Sequence, residues 1–368
     1  MKPKTILHLI NGLGMGGAEK NLIQIIERTS NKFNHVVITL TNENYYVNRL
    51  EKRGIKIIKK NLKRKLLLPL QIIQICYQIY KIRPEVLHTW LYFSDLIGGL
   101  LGKILGVKKI IWSIRHDISQ NSPLSEIIIV KLLALLSKYI PDLIISCSKK
   151  ASRNHINFGY DKKKILIINN GVDTKKFIPN IKAKKKLLDK YSIDNQILIF
   201  GMVARFAKVK NHLLLIKSLS SLKNKIQFKC ILIGDKVSNS NSQLKELIIK
   251  YNLTDEIIIS EERDKIHEIF NLIDLNILTS YSECFPNVLI ESMSCGTPCL
   301  TTNVGEAKKI VGNSGWIIND FDPLTLSRKL IEITNKGKNK IDEFKKPCRV
   351  RIEEKYSIEK MITKYINL

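Results

Sequence analysis

Apolar runs of four to seven residues, each followed by a longer amphipathic stretch, recur along nearly the whole chain. In the first half these runs occupy 5–10, 35–40, 55–58, 86–89, 109–114, 142–146 and 165–168. Each is apolar along its length instead of at every second residue, which marks strands covered on both faces. Between them, 18–28, 66–81, 94–105, 124–139 and 149–157 carry helical spacing. Strand and helix in strict succession predict a parallel, doubly wound α/β sheet. The pattern breaks at Asn169-Asn170-Gly171-Val172-Asp173, a turn, and at 177–190, a polar, lysine-rich stretch around Pro179 that reads as a linker. It then restarts, with strands at 197–203, 228–233, 257–260, 275–279 and 298–301 and helices at 211–222, 243–251, 264–272, 287–294 and 323–334. The expected architecture is therefore α/β, with two tandem Rossmann-like doubly wound domains, 1–175 and 176–350. A terminal helix within 351–368 is expected to pack back on the first domain. Ligands of such sheets bind beyond the strand C-termini, so an interdomain cleft is expected.

Composition narrows the class. The 368 residues carry 61 Lys+Arg against 33 Asp+Glu, a net charge of +28, of which +19 falls within residues 1–176. The densest stretch is Lys52, Arg53, Lys56, Lys59, Lys60, Lys63, Arg64 and Lys65. Two readings stand: attraction to an anionic membrane, and the Lys, Ile and Asn bias of an AT-rich genome. Seven cysteines without a CxxC pair point to a reducing compartment. The N-terminal apolar run is too short for a signal peptide, and no apolar segment is long enough to span a bilayer. In the uncharged stretch 66–80, Gln71, Gln74 and Gln78 share helical spacing opposite Ile72, Ile73, Ile75, Cys76 and Ile79, predicting an amphipathic helix. The expected location is cytoplasmic, with peripheral attachment to the inner face of the plasma membrane as the membrane reading. No nucleic-acid motif accompanies the charge, so no nucleic-acid partner is expected.

Two clusters carry chemistry. Gly12, Gly14 and Gly17, in Asn11-Gly-Leu-Gly-Met-Gly-Gly-Ala-Glu19, fit a phosphate-cradling glycine loop between a strand and a helix. A nicotinamide site would also want an acid at the end of the second strand, and the nearest, Glu43, lies beyond it. In the second half, Arg205 and Lys210 follow a strand end, where two cations can neutralise a diphosphate; a solvated basic loop is the alternative. Glu283 precedes a helix that starts near Asn287 and holds Glu291 one turn inside. Backbone N–H groups of Asn287 and Val288 would meet phosphate oxygens there.

Taken in order, Gly16-Gly-Ala-Glu19, Asn170-Gly-Val-Asp173, Arg205 with Lys210, and the pair Glu283/Glu291 followed by Cys295-Gly-Thr-Pro298 resemble retaining glycosyltransferase family four, of the GT-B fold. The resemblance spans essentially the whole chain. It implies a hexosyl- or N-acetylhexosaminyl-transferase that moves sugar from a nucleotide-diphosphate sugar to a glycan or lipid-linked acceptor in cell-surface polysaccharide or lipopolysaccharide synthesis. It further implies no cofactor beyond that substrate and no metal. Arg205 and Lys210 would contact the diphosphate, Glu283 the sugar hydroxyls and Glu291 the ribose. Arg263 would line the base pocket, His116 would serve as the active-site histidine, and Gly16 and Gly17 would approach the diphosphate. The chain departs from the family at Cys284, usually glycine, and at Lys236 in Gly234-Asp-Lys236, usually Gly-Asp-Gly. Asp320-Phe-Asp322 has the form of a metal-binding D-x-D, but Asp322 precedes Pro323 and reads as a helix cap. A nucleotide-sugar epimerase of the same fold and a nicotinamide oxidoreductase are the competing activities.

Overall fold

The computed structural model describes residues 3–62, 68–120, 122–335 and 337–368. The chain divides into two compact units, one of Met1–Asn170 with Met361–Leu368 and the other of Gly171–Lys360. The break thus falls after Asn170, and the part of the C-terminal stretch grouped with the first unit starts at Met361.

The first unit runs β1 (Thr5–Ile10), α1 (Gly17–Thr29), β2 (Asn34–Thr39), α2 (Val47–Glu51), β3 (Lys56–Lys59), α3 (Leu68–Ile82), β4 (Val86–Trp90), α4 (Tyr92–Ile104), β5 (Lys109–Ile114), α5 (Leu124–Ser137), β6 (Leu143–Ser146), α6 (Lys149–Asn157) and β7 (Ile165–Ile167). Its seven parallel strands are ordered β3-β2-β1-β4-β5-β6-β7. The order reverses between β1 and β4, and right-handed crossovers place α1 on one face and α3, α4 and α5 on the other. Trp90 and Trp112 are fully buried, each burial stabilising by about 3 kcal/mol. On the α1 face the imidazoles form a directed chain. His8 Nε2–H donates to His35 Nδ1 (3.0 Å), His35 Nε2–H to Thr29 Oγ1 (2.9 Å), and the Thr29 hydroxyl to the Ile25 carbonyl (2.7 Å). Every lone pair used as an acceptor here needs a neutral ring, and burial holds His8 and His88 well below the usual imidazole range and His35 at about 4.

The second unit runs α7 (Ile181–Tyr191), β8 (Leu198–Val203), α8 (His212–Ser220), β9 (Phe228–Ile233), α9 (Ser242–Lys250), β10 (Ile257–Ser260), α10 (Ile266–Leu272), β11 (Leu275–Leu278), α11 (Asn287–Ser294), β12 (Cys299–Thr302), α12 (Ala307–Val311), β13 (Trp316–Ile318), α13 (Pro323–Thr334), α14 (Gly337–Asp342) and α15 (Lys345–Tyr356). Its six parallel strands are ordered β10-β9-β8-β11-β12-β13. The reversal lies between β8 and β11, so the loops that follow those two strands meet at the switch point. A last helix, α16 (Ile358–Ile366), has its residues from Met361 onward grouped with the first unit. There Arg115 lies 4.6 Å over the Trp90 ring and donates to Asn170 Oδ1 (3.1 Å) and to the Tyr365 hydroxyl.

Two expectations change. The 177–190 stretch is not a linker: α7 fills most of it and buries Ala183, Leu187 and Leu188. Its lysines occupy the outer face, so composition alone hid an amphipathic helix. In α3 Ile75 and Ile79 face inward as expected, but two residues depart from the expected sides. Gln71 is buried with Ile75 and Ile79, while Ile73 and Tyr77 are exposed. The reason is a hydrogen bond, since Gln71 Oε1 accepts the Asn61 N–H at 3.0 Å and a satisfied glutamine can face inward. Lys63, Arg64 and Lys65 of the basic cluster lie outside the described residues.

Candidate active site

In the second unit the switch point collects most of the singled-out residues. Gly234 (φ +156°) follows β9, and a Cβ there would stand 2.1 Å from the Ala204 carbonyl oxygen and 2.9 Å from the Arg205 nitrogen. Only glycine lets the two loops approach this closely, and Phe206 N–H donates to the Asp235 carbonyl at 2.7 Å. The backbone around Arg205 is thereby fixed. Its side chain is exposed and, among the described residues, makes no hydrogen bond or ion pair.

Lys210 ends a 3-10 turn, Lys208–Lys210, and its Nζ pairs with Glu283 Oε1; both side chains are largely buried. The Ser280 hydroxyl donates to the same oxygen at 2.7 Å. Glu283 Oε2 has no partner among the described residues and is left to accept from a ligand hydroxyl. The loop is held from below. The Thr279 hydroxyl reaches the carbonyls of Asn211 (2.9 Å) and Lys210 (3.1 Å), and the Thr302 hydroxyl donates to the Ser280 carbonyl at 2.7 Å. Gly305 (φ +52°) packs so closely that a Cβ would stand 2.2 Å from the Glu283 carbonyl oxygen. Sequence reasoning missed Ser280, Thr302 and Gly305; a glycine after a strand was the available signal.

α11 starts after Pro286, which has no side-chain group to cap it, and puts Asn287 and Val288 at its positive end. Glu291 lies one turn further in and is buried. Arg263 opens a 3-10 turn, Arg263–Lys265, after β10; its side chain lies outside what the structure describes. Cys284 is absent from the left-handed residues, so its replacement of glycine adds no backbone strain, whereas Lys236 sits at φ +59°. Asp322 Oδ2 accepts the Thr325 N–H at 2.9 Å with Pro323 in the first turn, which makes it the α13 cap.

In the first unit the glycine loop is tied to the segment after β2. Leu13 N–H donates to the Glu43 carbonyl at 2.9 Å, and a Cβ on Gly12 would stand 2.6 Å from Thr41 Oγ1. Gly16 and Gly17 are exposed at the start of α1, and the Glu19 carboxylate lies so close that a Cβ on Gly16 would stand 2.2 Å from its Oε2. His116 follows β5, is more than half exposed, and places Nε2 3.2 Å from Glu126 Oε1. The edge of its ring faces Tyr92 at 6.5 Å between centroids.

Tyr92 was not visible from the sequence. Its hydroxyl donates to His155 Nε2 (2.9 Å), because His155 Nδ1–H is committed to the Ala151 carbonyl (2.7 Å) and burial keeps that ring neutral, at about 4. Asp95, one turn into α4, accepts the Thr89 hydroxyl at 2.5 Å, and burial pushes its carboxyl up to about 8. A crevice of ≈ 340 Å³ on the α1 face is lined by Lys4, Glu85 and Lys108, which precede β1, β4 and β5. It therefore opens at the strand N-termini, away from the end where such sheets bind ligands.

Residues 15–176 match the family described as Glycosyltransferase Family 4, and residues 183–349 match Glycosyl transferases group 1. The putative glycosyltransferase EpsF of Bacillus subtilis is 23% identical over 82% of this chain and 79% of its own. An Escherichia coli UDP-Gal:alpha-D-GlcNAc-diphosphoundecaprenol alpha-1,3-galactosyltransferase is 24% identical over 78% of this chain and 76% of its own. Among solved structures, Anabaena HepE in complex with UDP superposes with a TM-score of 0.87 at 18% identity, over 99% of this chain and 98% of that one. A Rickettsia africae glycosyltransferase superposes at 0.84 with 22% identity, over 100% and 98%.

Proposed function

The chain belongs to glycosyltransferase family four, and on that premise we propose that it transfers a sugar, with retention at the anomeric carbon, from a nucleotide-diphosphate sugar to a lipid-linked glycan acceptor. As a glycosyltransferase it is neither the epimerase nor the nicotinamide oxidoreductase that its glycine loop also suggested. The reading places the enzyme in cell-surface polysaccharide or lipopolysaccharide synthesis, at the cytoplasmic face of an anionic membrane. The E. coli relative, a galactosyltransferase acting on GlcNAc-diphosphoundecaprenol, supports a lipid diphosphate acceptor, and the UDP of the Anabaena structure supports a nucleotide diphosphate donor.

One observation carries the donor assignment: an Arg205 with no hydrogen bond or ion pair among the described residues and a Lys210–Glu283 pair, both at the switch point in the same unit as the start of α11. Departure of the sugar develops positive charge at the anomeric carbon and negative charge on the leaving diphosphate. Arg205, the Lys210 ammonium and the N–H groups of Asn287 and Val288 would stabilise that diphosphate without reorganising. Glu283 would hold a sugar hydroxyl through Oε2, and Glu291 the ribose. By the family likeness, His116 is assigned to the transferred sugar and Gly16 and Gly17 to the phosphates. The acceptor attacks from the face the diphosphate leaves, and the departing phosphate oxygen takes the acceptor's proton. No cofactor and no metal enter this scheme.

A thermal-shift panel of nucleotide diphosphates tests the site, since a ligand at 100 times its dissociation constant adds about 2.7 kcal/mol. Arg205→Ala and Lys210→Ala should each lower turnover by about 10²- to 10³-fold. Only Lys210→Ala should also lower thermal stability, because it alone strands a largely buried carboxylate. Wild-type rates in both variants would refute the leaving-group role.

A further inference from the structure

Among the described residues, more than half of the exposed large apolar side chains fall on α3, α4 and α5 of the first unit and just beyond them. The three helices are neighbours, with α4 between the other two. Gly98, Gly99 and Gly102 seat α4 against the sheet, where Cβ atoms would run into Leu9, Trp112 and Leu87. Its opposite side turns outward and ends in Ile104, 76% exposed. On α5, Leu124, Ile128, Leu132 and Leu135 follow one another a turn apart as an exposed stripe that continues to Tyr139. Scattered exposed apolar residues are normal, but a contiguous helical layer of them marks a surface that meets something.

Charge identifies the occupant. Lys103, Lys131 and Lys138 are exposed within this layer. Its acidic residues do not compete: Asp95 is buried, and Glu126 is paired with His116. A second copy of the chain would bring lysine against lysine. An anionic bilayer accepts both components, apolar side chains below the headgroups and ammonium groups at the phosphates. We propose that the outer face of α4 and α5 is the surface by which this protein docks on an anionic lipid bilayer. Membrane attachment is thus assigned to this face. The inference rests on the lipid-linked acceptor reading for its purpose, but vesicle binding can be read with no sugar present.

Co-sedimentation of the full chain with phosphatidylcholine vesicles, with and without phosphatidylglycerol, tests it. Anionic vesicles should retain the protein and release it at high salt, and neutral ones should retain little. The double variant Ile128→Glu/Leu132→Glu should lower partition by about tenfold or more at an unchanged melting temperature. Lys131→Glu/Lys138→Glu leaves the apolar stripe intact and should lower partition as well. Wild-type partition in both double variants overturns the proposal, as does equal retention by neutral vesicles. So does a wild-type dimer that the glutamates dissolve, which would make the face a self-association surface. Failure of the donor reading would appear in the nucleotide panel and leave these outcomes untouched.

Discussion

At the scale of single residues, the second unit's site is built from backbone constraints as much as from charged groups. Gly234 and Gly305 occupy positions where a Cβ would collide with a carbonyl oxygen, and both flank loops that carry Arg205 and Glu283. Lys236 is the counter-example. It adopts φ +59°, a conformation that costs a non-glycine residue about 1 kcal/mol, yet the loop keeps its shape because Val237 N–H donates to the Gly234 carbonyl at 3.1 Å. Lys236→Gly should therefore raise stability by about 0.5–1 kcal/mol, read as a higher urea midpoint at constant slope. A lower midpoint would mean that the lysine side chain holds the loop. The charged members of the site were legible in the sequence because they follow strand ends. Ser280 and Thr302 were not, because a hydroxyl acquires a role only from the carboxylate or carbonyl that folding brings to it.

At the scale of elements, periodicity located the strands closely, and β1, β5, β9 and β10 fall where the apolar runs predicted. It failed where the signal was short or where orientation depended on a partner. α2, α12 and β13 are too brief to show a period, and α7 was masked by its lysines. In α3 Gln71 joined Ile75 and Ile79 on the buried side because it found a backbone donor. The end of α13 is the opposite case, since an Asp-Pro pair specified its start from sequence alone and the structure shows the capping bond. Asp322→Ala should cost about 1 kcal/mol of stability with no change in turnover, and activity should be insensitive to EDTA in both proteins. Loss of activity on chelation would return Asp320 and Asp322 to consideration as ligands.

At the scale of the whole molecule, buried ionisable groups set the pH range of stability. His35, His155 and His212 are held at about 4, and His8 and His88 well below the usual range, in every case chiefly by burial. Their folded values lie below the unfolded value of 6.5, so the stability they contribute is present above 6.5 and is lost as pH falls towards 4. Asp95 has the opposite sign. Raised from 3.8 to about 8, it favours folding below 3.8 and loses that contribution as pH rises towards 8. Each group moves stability by about 1.4 kcal/mol per pH unit within its own window, so five histidines outweigh one carboxyl below 6.5. Stability should peak near neutrality and fall steeply between about pH 6.5 and 4. A flat urea midpoint across that interval would mean that the imidazoles are solvated.

The sequence by itself determined the two parallel sheets, because uninterrupted apolar runs are intelligible only as strands covered on both faces. It also determined the family, because ordered motifs survive as text. Tertiary structure alone decided that Lys210 and Ser280 share an oxygen of Glu283, that the Tyr92 hydroxyl donates a hydrogen bond to His155, and that the outer sides of α4 and α5 are exposed. The physical reason is the same in each case. A pattern along the chain records which residues avoid water, but which groups share a hydrogen bond or lie exposed depends on distances between segments far apart in sequence.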